Sequence, residues 1–163
     1  MAASTVVKHL FDGSIVVNDG TGSPVTLAVP FTQGDLALDN LMQGGRGVQA
    51  YQTRGVFHSL RLTGVEFPTL NFSAMLADLS DGTDGTLVDF VLKQASYSTN
   101  ISTLAGSDTY CVDVVLTIEG TDVGDAADHT ITLTDVHFTM AIAEGEPDTV
   151  TLSGTVYGST TMT

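Results

Sequence analysis

Residues 129–156 read HTITLTDVHFTMAIAEGEPDTVTLSGTV, and this stretch decides the fold class. Apolar and polar side chains alternate along most of it, which is the two-residue period of a half-buried β-strand. The parity of the apolar positions changes between Leu133 and Val136, so we predict a β-bulge near Thr134 and Asp135. The Gly and Pro that follow predict a turn, and the remaining residues predict a closing strand.

The same period extends outward to the rest of the chain. Residues 108–119 and 67–77 alternate in the same way, and shorter β-branched runs occupy 56–63 and 25–29. Two further runs flank Asp12-Gly13, a dipeptide favoured in two-residue hairpin turns. A chain of 163 residues fits one domain. We therefore predict a single all-β domain over residues 1–163, a β-sandwich or barrel.

Two segments depart from the strand pattern. An apolar stripe over about 84–94, with Asp84 as a possible cap, predicts one short flanking helix. Residues 31–53 contain four glycines among scattered leucines. They predict a long loop that is functional or is ordered by a partner, because compact domains rarely contain idle loops of that length.

The charge of the chain is strongly acidic and unevenly distributed. The sequence has 19 acidic and 5 basic residues, a net charge of −14. Residues 40–65 hold Arg46, Arg54 and Arg61 and no acid, whereas the segments before and after carry net charges of −3 and −14. Either three arginines fell together by chance, or this basic segment contacts an acidic patch of a neighbouring copy, where arginine pairs well with carboxylates.

Acidity and cysteine usage exclude several classes of protein. Phosphate binding needs Lys and Arg, so broad nucleic-acid binding is not expected. The single cysteine, Cys111, excludes an internal disulfide framework and a paired-cysteine zinc site. The N-terminus lacks the features of a signal peptide, and no apolar run is long enough for a membrane helix. We expect synthesis in a cytoplasm.

No catalytic or metal-binding constellation is convincing. Asp135 and His137 could share one strand face, but a surface polar pair is the simpler interpretation. Two acidic loops lack the spacing of an EF-hand and are interpreted as solvated turns; they contain Asp78, Asp81 and Asp84, and Asp122, Asp125 and Asp128. We therefore expect no enzymatic activity, no cofactor and no metal.

Two parts of the sequence resemble the tail tube proteins of tailed bacteriophages and related tailed viruses. The piece EGEPDTVTLSGTVYG at 144–158 is similar to the closing hairpin of that family. The piece RGV at 54–56, followed by FPTLNFSA at 67–74, is similar to its core hairpin. The short helix among strands also fits, and the likeness covers roughly residues 50–158.

The resemblance implies a structural virion protein. Tail tube proteins form rings, usually of six subunits, which stack into a hollow tube that conducts DNA without specific binding. A long loop reaches the adjacent ring, which would make Arg46, Arg54 and Arg61 inter-ring contacts. The partners would be further copies and the tape-measure, terminator and tail-tip proteins, and the location would be the virion tail, assembled in the host cytoplasm.

An acidic channel wall would repel DNA and let it slide, because duplex DNA carries a negative charge every ~1.7 Å of axis. Asp113, Glu119 and Asp135 are the candidate lumen-facing acids. Other β-rich virion proteins remain open as alternatives, namely a tail terminator, a head decoration protein or a capsid-associated protein. A β-sandwich binding module is a further alternative, although the chain has no Trp and only four Tyr for an aromatic platform.

Overall fold

The computed structural model describes residues 10, 13–41, 45–121 and 124–163. The first half of the hairpin predicted around Asp12 lies outside this part of the chain, as does Asp122. The described part contains one short helix, α1 (Leu87–Leu92), one 3-10 turn (Ala95–Tyr97), and the strands β1 (Gly13–Asn18), β2 (Thr26–Ala28), β3 (Ala37–Asp39), β4 (Arg46–Thr53), β5 (Val56–Val65), β6 (Thr69–Met75), β7 (Val112–Ile118), β8 (His129–Ala143), β9 (Thr149–Val156) and β10 (Thr160–Met162).

Most strands form one antiparallel sheet, which confirms the all-β prediction. Its order is β2-β1-β7-β8-β9-β6-β3, and β10 adds to β8 as the eighth strand. The strands β4 and β5 form a separate two-stranded sheet. The long predicted strands thus belong to the larger sheet, with β8 at its centre.

The β-bulge predicted in β8 is confirmed. Val112 pairs with Val136, whereas Val114 pairs with Leu133, so β8 has one more residue than β7 between these pairs. Asp135 takes up the irregularity with a positive φ of 57°. On the other edge, β8 pairs with β10 before the bulge and with β9 after it. The bulge therefore lies where the central strand changes partner.

The apolar core lies on one face of the large sheet. Alternate residues of its long strands are almost fully buried, as predicted for β6, β7, β8 and β9. Ile15 of β1 and Phe72 of β6 line one cleft with Leu116, although three strands separate β1 from β6 in the sheet order. The sheet therefore curls around its core. Further core residues are Val17, Leu70, Val112, Val114, Leu133, Val136, Val150, Leu152 and Val156.

The helix occupies the predicted region but is shorter than the predicted 84–94. Its N-cap is Thr86, whose hydroxyl accepts the Asp89 backbone N–H, and not the predicted Asp84. Gly85 has a φ of +71°, so the chain before Thr86 is not helical. Lys93 adopts a left-handed conformation and ends the helix. Phe90 packs edge-on against Tyr97 and closes the core on this side.

The prediction of one long loop over 31–53 is wrong. This segment contains β3, which pairs with β6, and all of β4, which pairs with β5. Of the glycines that suggested a loop, Gly34 and Gly45 have positive φ angles of 75° and 61°, and Gly47 lies at a register shift in β4. Consequently the basic segment is built mainly as a β-hairpin with a defined register.

Candidate assembly surface

The hairpin of β4 and β5, residues 46–65, is the part of the molecule most unlike an ordinary soluble surface. Among the residues that the structure describes, its two strands pair only with each other. They are joined by Arg54 and Gly55, whose φ angles of 53° and 80° are both positive, as a type I′ turn requires. This turn matches the right-handed twist of the two strands, whose pairing register shifts once after Arg46 and once after Tyr51.

One face of the hairpin is apolar and exposed. Directly opposed residues share a face, so Val48 lies with Leu62 and Ala50 with Leu60. A register shift after Tyr51 places Phe57 opposite Gln52, on that same side. We call this surface the apolar hairpin face. The exposed fractions of its four large side chains are 59% for Val48, 60% for Phe57, 59% for Leu60 and 60% for Leu62.

The other face of the hairpin is mainly polar. Gln49 lies opposite Arg61, and Tyr51 lies opposite Ser59. The hairpin therefore has the pattern of a strand pair that covers a core on one side and meets solvent on the other. Covering the apolar hairpin face would bring roughly 1–2 kcal/mol for each large side chain, given their present exposure. Monomers rarely leave a contiguous apolar surface of this kind uncovered.

The three arginines predicted as contact residues are distributed along the hairpin. Arg46 lies at its base and donates from Nε to the carbonyl oxygen of Thr63 at 2.9 Å. Arg61 lies midway, and Arg54 lies in the turn at the tip. Within the described residues, none of these arginines forms an ion pair with a carboxylate of its own chain. Their charges thus remain available to another molecule.

The structure brings together two of the three candidate lumen acids. The backbone N–H of Asp135 donates to Oδ1 of Asp113 at 3.1 Å, so both lie at the bulge of β8. Burial raises the pKa of Asp113, and the nearby charge of Asp135 raises it further, against the lowering effect of this hydrogen bond. Glu119 lies just beyond the other end of β7, about 20 Å away at ~3.3 Å per residue.

A second outward region of the large sheet carries no acid. The outward residues of β9 are Thr149, Thr151, Ser153 and Thr155, and those facing them on β6 are Thr69, Asn71, Ser73 and Met75. Cross-strand hydrogen bonds join these side chains, with Ser153 Oγ donating to Asn71 Oδ1 at 2.6 Å. The large sheet therefore presents a neutral, hydroxyl-rich surface on β6 and β9 and an acidic one near the bulge.

The side chains considered as catalytic or metal-binding candidates are hydrogen-bonded or buried within the fold. The His137 ring bonds through Nδ1 to the carbonyl oxygen of Tyr110 at 3.1 Å, not to Asp135. Cys111 is buried, and burial raises its pKa, which disfavours the thiolate. His129 contacts Asp125 at 2.8 Å, a pair that sequence reasoning missed. No group of three His, Cys, Asp or Glu side chains suited to a metal ion occurs within the described ranges.

Sequence reasoning also missed the apolar hairpin face, because the segment was assigned partly to a loop. The available signal was the apolar positions of β4 and β5, which become one surface only once the register is known.

None of the helices in the described residues is long and apolar enough to cross a membrane.

Comparison with known proteins gives similarity at the level of structure but not of sequence. No family model matches the sequence, and no curated protein matches it. Among solved structures, the fold is similar to a chain in the six-fold symmetrised cryo-electron microscopy structure of the anti-feeding prophage baseplate. The two chains are 13% identical, the alignment covers 100% of this chain and 97% of the other, and the TM-score is 0.49.

Proposed function

We propose that the protein is a structural, non-enzymatic subunit of a viral tail tube, assembling with copies of itself into stacked rings of six subunits. The observation that carries the proposal is the exposed apolar hairpin face on the single basic segment of an acidic chain. An exposed apolar face of this kind is stabilised when another surface covers it. The positive charge of the hairpin favours an acidic surface for that contact. The acidic remainder of another copy supplies that complement.

Charge supports self-association over other partners. The hairpin, residues 46–65, has three arginines and no acid, while the rest of the chain has two lysines and 19 acidic residues. Opposite charges on two surfaces of one chain attract one copy to the next and disfavour contact between like surfaces. Heterologous contacts of this type generate rings or filaments, because each copy offers one donor and one acceptor surface.

The tube would conduct DNA without binding it. We propose that acids including Asp113, Glu119 and Asp135 line the channel and repel the phosphates, although only Asp113 and Asp135 lie close together. The Debye length is about 8 Å at physiological salt, so this repulsion acts only in a narrow channel. Tape-measure, terminator and tail-tip proteins would be the other partners, in a virion tail assembled in the host cytoplasm.

Electron microscopy and sedimentation of the purified protein test the proposal. Rings or tubes are expected, formed alone or on a tail-tip complex, and the variant Leu60→Ser/Leu62→Ser should remain monomeric with an unchanged circular dichroism spectrum. A protein that stays monomeric at all concentrations and with tail-tip proteins would contradict the proposal. Binding only to a preformed capsid would favour a head decoration protein instead.

A further inference from the structure

An apolar cavity of about 180 Å³ lies between the end of β6 and the start of α1. Its inner wall is formed by buried apolar residues, among them Ala74, Leu87 and Val150. Asp78, Asp81 and Asp84 also line it, and of these Asp78 and Asp84 are exposed and Asp81 is half-buried. We call this the acid-rimmed cavity. It combines an apolar interior with a concentration of negative charge at its entrance.

The rim of the cavity is held in place by the buried carboxylate of Asp89. The backbone N–H of Asp81 donates to Oδ2 of Asp89 at 2.9 Å, and Asp81 in turn accepts the backbone N–H of Thr83 at 2.7 Å. These bonds fix the rim loop against α1. In the part of the chain that the structure describes, no Lys or Arg side chain forms an ion pair with the rim acids. The rim is thus ordered but not neutralised.

The tip of the hairpin has the complementary chemistry. Arg54 lies in the turn, and the exposed Phe57 lies on the apolar hairpin face next to the turn, opposite Gln52. A cation and an aromatic side chain are therefore presented together at the end of a regular two-stranded element. For comparison, an apolar cavity of ~150 Å³ in a protein core is large enough to hold benzene.

We propose that the hairpin tip of one copy docks in the acid-rimmed cavity of a neighbouring copy. Phe57 enters the apolar interior, and Arg54 pairs with the rim acids Asp81 and Asp84. This assignment rests on the proposed self-assembly and names the surface that receives the hairpin. An Arg–carboxylate contact at the rim would add geometric specificity to the apolar contact, because a guanidinium can pair bidentately with a carboxylate.

Charge distinguishes this cavity from two larger clefts. The cleft near the hairpin base, lined by Phe67 and Tyr157, has Glu66 as its single acidic lining residue. The cleft lined mainly by residues within 100–110 contains one base, Lys93, and one acid, Asp108, so it has no net formal charge. Neither presents the several unneutralised carboxylates that would attract Arg54.

Site-directed crosslinking tests the docking directly. Thr53→Cys marks the hairpin tip and Thr83→Cys marks the cavity rim, and the native Cys111 is buried. Copies carrying one cysteine each are mixed, allowed to assemble and treated with a short bis-maleimide. We expect a 53–83 crosslink between copies, identified by mass spectrometry of the joined peptides. The control pair is Thr53→Cys with Ala105→Cys, which lies in the Lys93 cleft and should remain unlinked.

The outcomes separate this inference from the proposed function. Rings or tubes that crosslink at 53–105 and not at 53–83 would overturn the docking site and leave self-assembly standing. A protein that does not assemble and gives no crosslink contradicts both. Charge reversal is the second measurement. Arg54→Asp should raise the concentration needed for assembly at least about tenfold. Adding Asp84→Arg to that variant should bring the concentration most of the way back to the wild-type value. If the double variant folds but assembles no better than Arg54→Asp alone, that result also contradicts the proposed docking site.

Discussion

The large sheet and the hairpin are built from similar alternating strands, yet they differ completely in what covers their apolar faces. Leu152 in β9 is 0% exposed, whereas Leu62 in β5 is 60% exposed. The large sheet curls so that its own strands and α1 cover its apolar face. The hairpin has paired strands and an apolar face but no second layer in the described part of the chain. We propose that the hairpin's second layer is supplied by another copy.

Charge follows the same division. The covered body carries all 19 acids and two lysines, and the hairpin carries only arginines. A chain that needed only solubility would have no reason to separate its charges in this way. The separation supports assembly by a donor element and an acceptor body.

The largest expected effect is that of removing the hairpin. Replacing residues 47–64 with a short Gly-Ser linker should abolish assembly completely, because the donor element is lost. The body should still fold, since the hairpin strands pair only with each other. Sedimentation velocity measures the first result and thermal unfolding the second. Loss of the body fold would show that the two regions are not independent.

A matched pair of truncations sharpens the comparison. Leu152→Ala should lower the free energy of unfolding by about 2–5 kcal/mol, because it leaves a cavity in a closed core. Leu62→Ala should change the unfolding free energy of the monomer by no more than about 0.5 kcal/mol while weakening assembly. Urea denaturation of dilute protein gives both values. Equal destabilisation by the two variants would mean that the hairpin is packed within its own chain.

A smaller effect on the free energy of unfolding is expected from substituting the buried Asp89. Burial alone would raise its pKa, but hydrogen bonds from the Asp81 backbone and from Ser80, Thr86 and Gln94 outweigh burial and lower the pKa. Asp89→Ala should therefore cost about 1–3 kcal/mol at pH 7 by leaving buried donors without an acceptor. Urea denaturation with and without the substitution measures this cost.

The pH dependence of Asp89 follows from the sign of its shift. A carboxylate whose pKa is lower in the folded state stabilises the protein above the pKa of the unfolded state, about 3.9 for Asp. That contribution is lost as the pH falls through the folded-state value. The stability difference between the wild type and Asp89→Ala should thus narrow in acid. A constant difference from pH 7 down to strong acid would contradict this account.

The smallest effect on the free energy of unfolding is expected from substituting the outward-facing Asp113. Its raised pKa means that folding disfavours the ionised carboxylate relative to the unfolded chain. Asp113→Asn keeps an acceptor for the Asp135 N–H and removes the charge repulsion. Its unfolding free energy should equal or slightly exceed that of the wild type, with a change within about 0.5 kcal/mol. A clear loss of stability in urea would mean that Asp113 has a structural role comparable to Asp89.

The sequence predicted the body far better than the hairpin. In β8, the parity change between Leu133 and Val136 was sufficient to locate the bulge, because a buried face permits only one register. In β4, only Val48 and Ala50 mark the apolar side, and the Arg54-Gly55 turn is not one of the dipeptides typical of hairpins. The sequence therefore predicts a loop that extends through Thr53.

The charge pattern groups the arginines of the proposed contact segment, but it does not indicate which surface they would contact. Arg46, Arg54 and Arg61 could be grouped from the sequence, since they lie close along the chain. The acid-rimmed cavity could not, because its walls come from β6, the rim loop, α1 and β9, and only folding brings these together. Similarly, nothing in the spacing of Asp113, Glu119 and Asp135 indicated that two lie together and the third lies apart.

Electron cryomicroscopy of the assembled protein tests the central claim most directly. The account predicts repeating rings in which residues 46–65 of each subunit are buried against a neighbouring copy, with Val48, Phe57, Leu60 and Leu62 removed from solvent. A map of an assembly in which the apolar hairpin face remains exposed, or a protein that stays monomeric with that face in water, would contradict it.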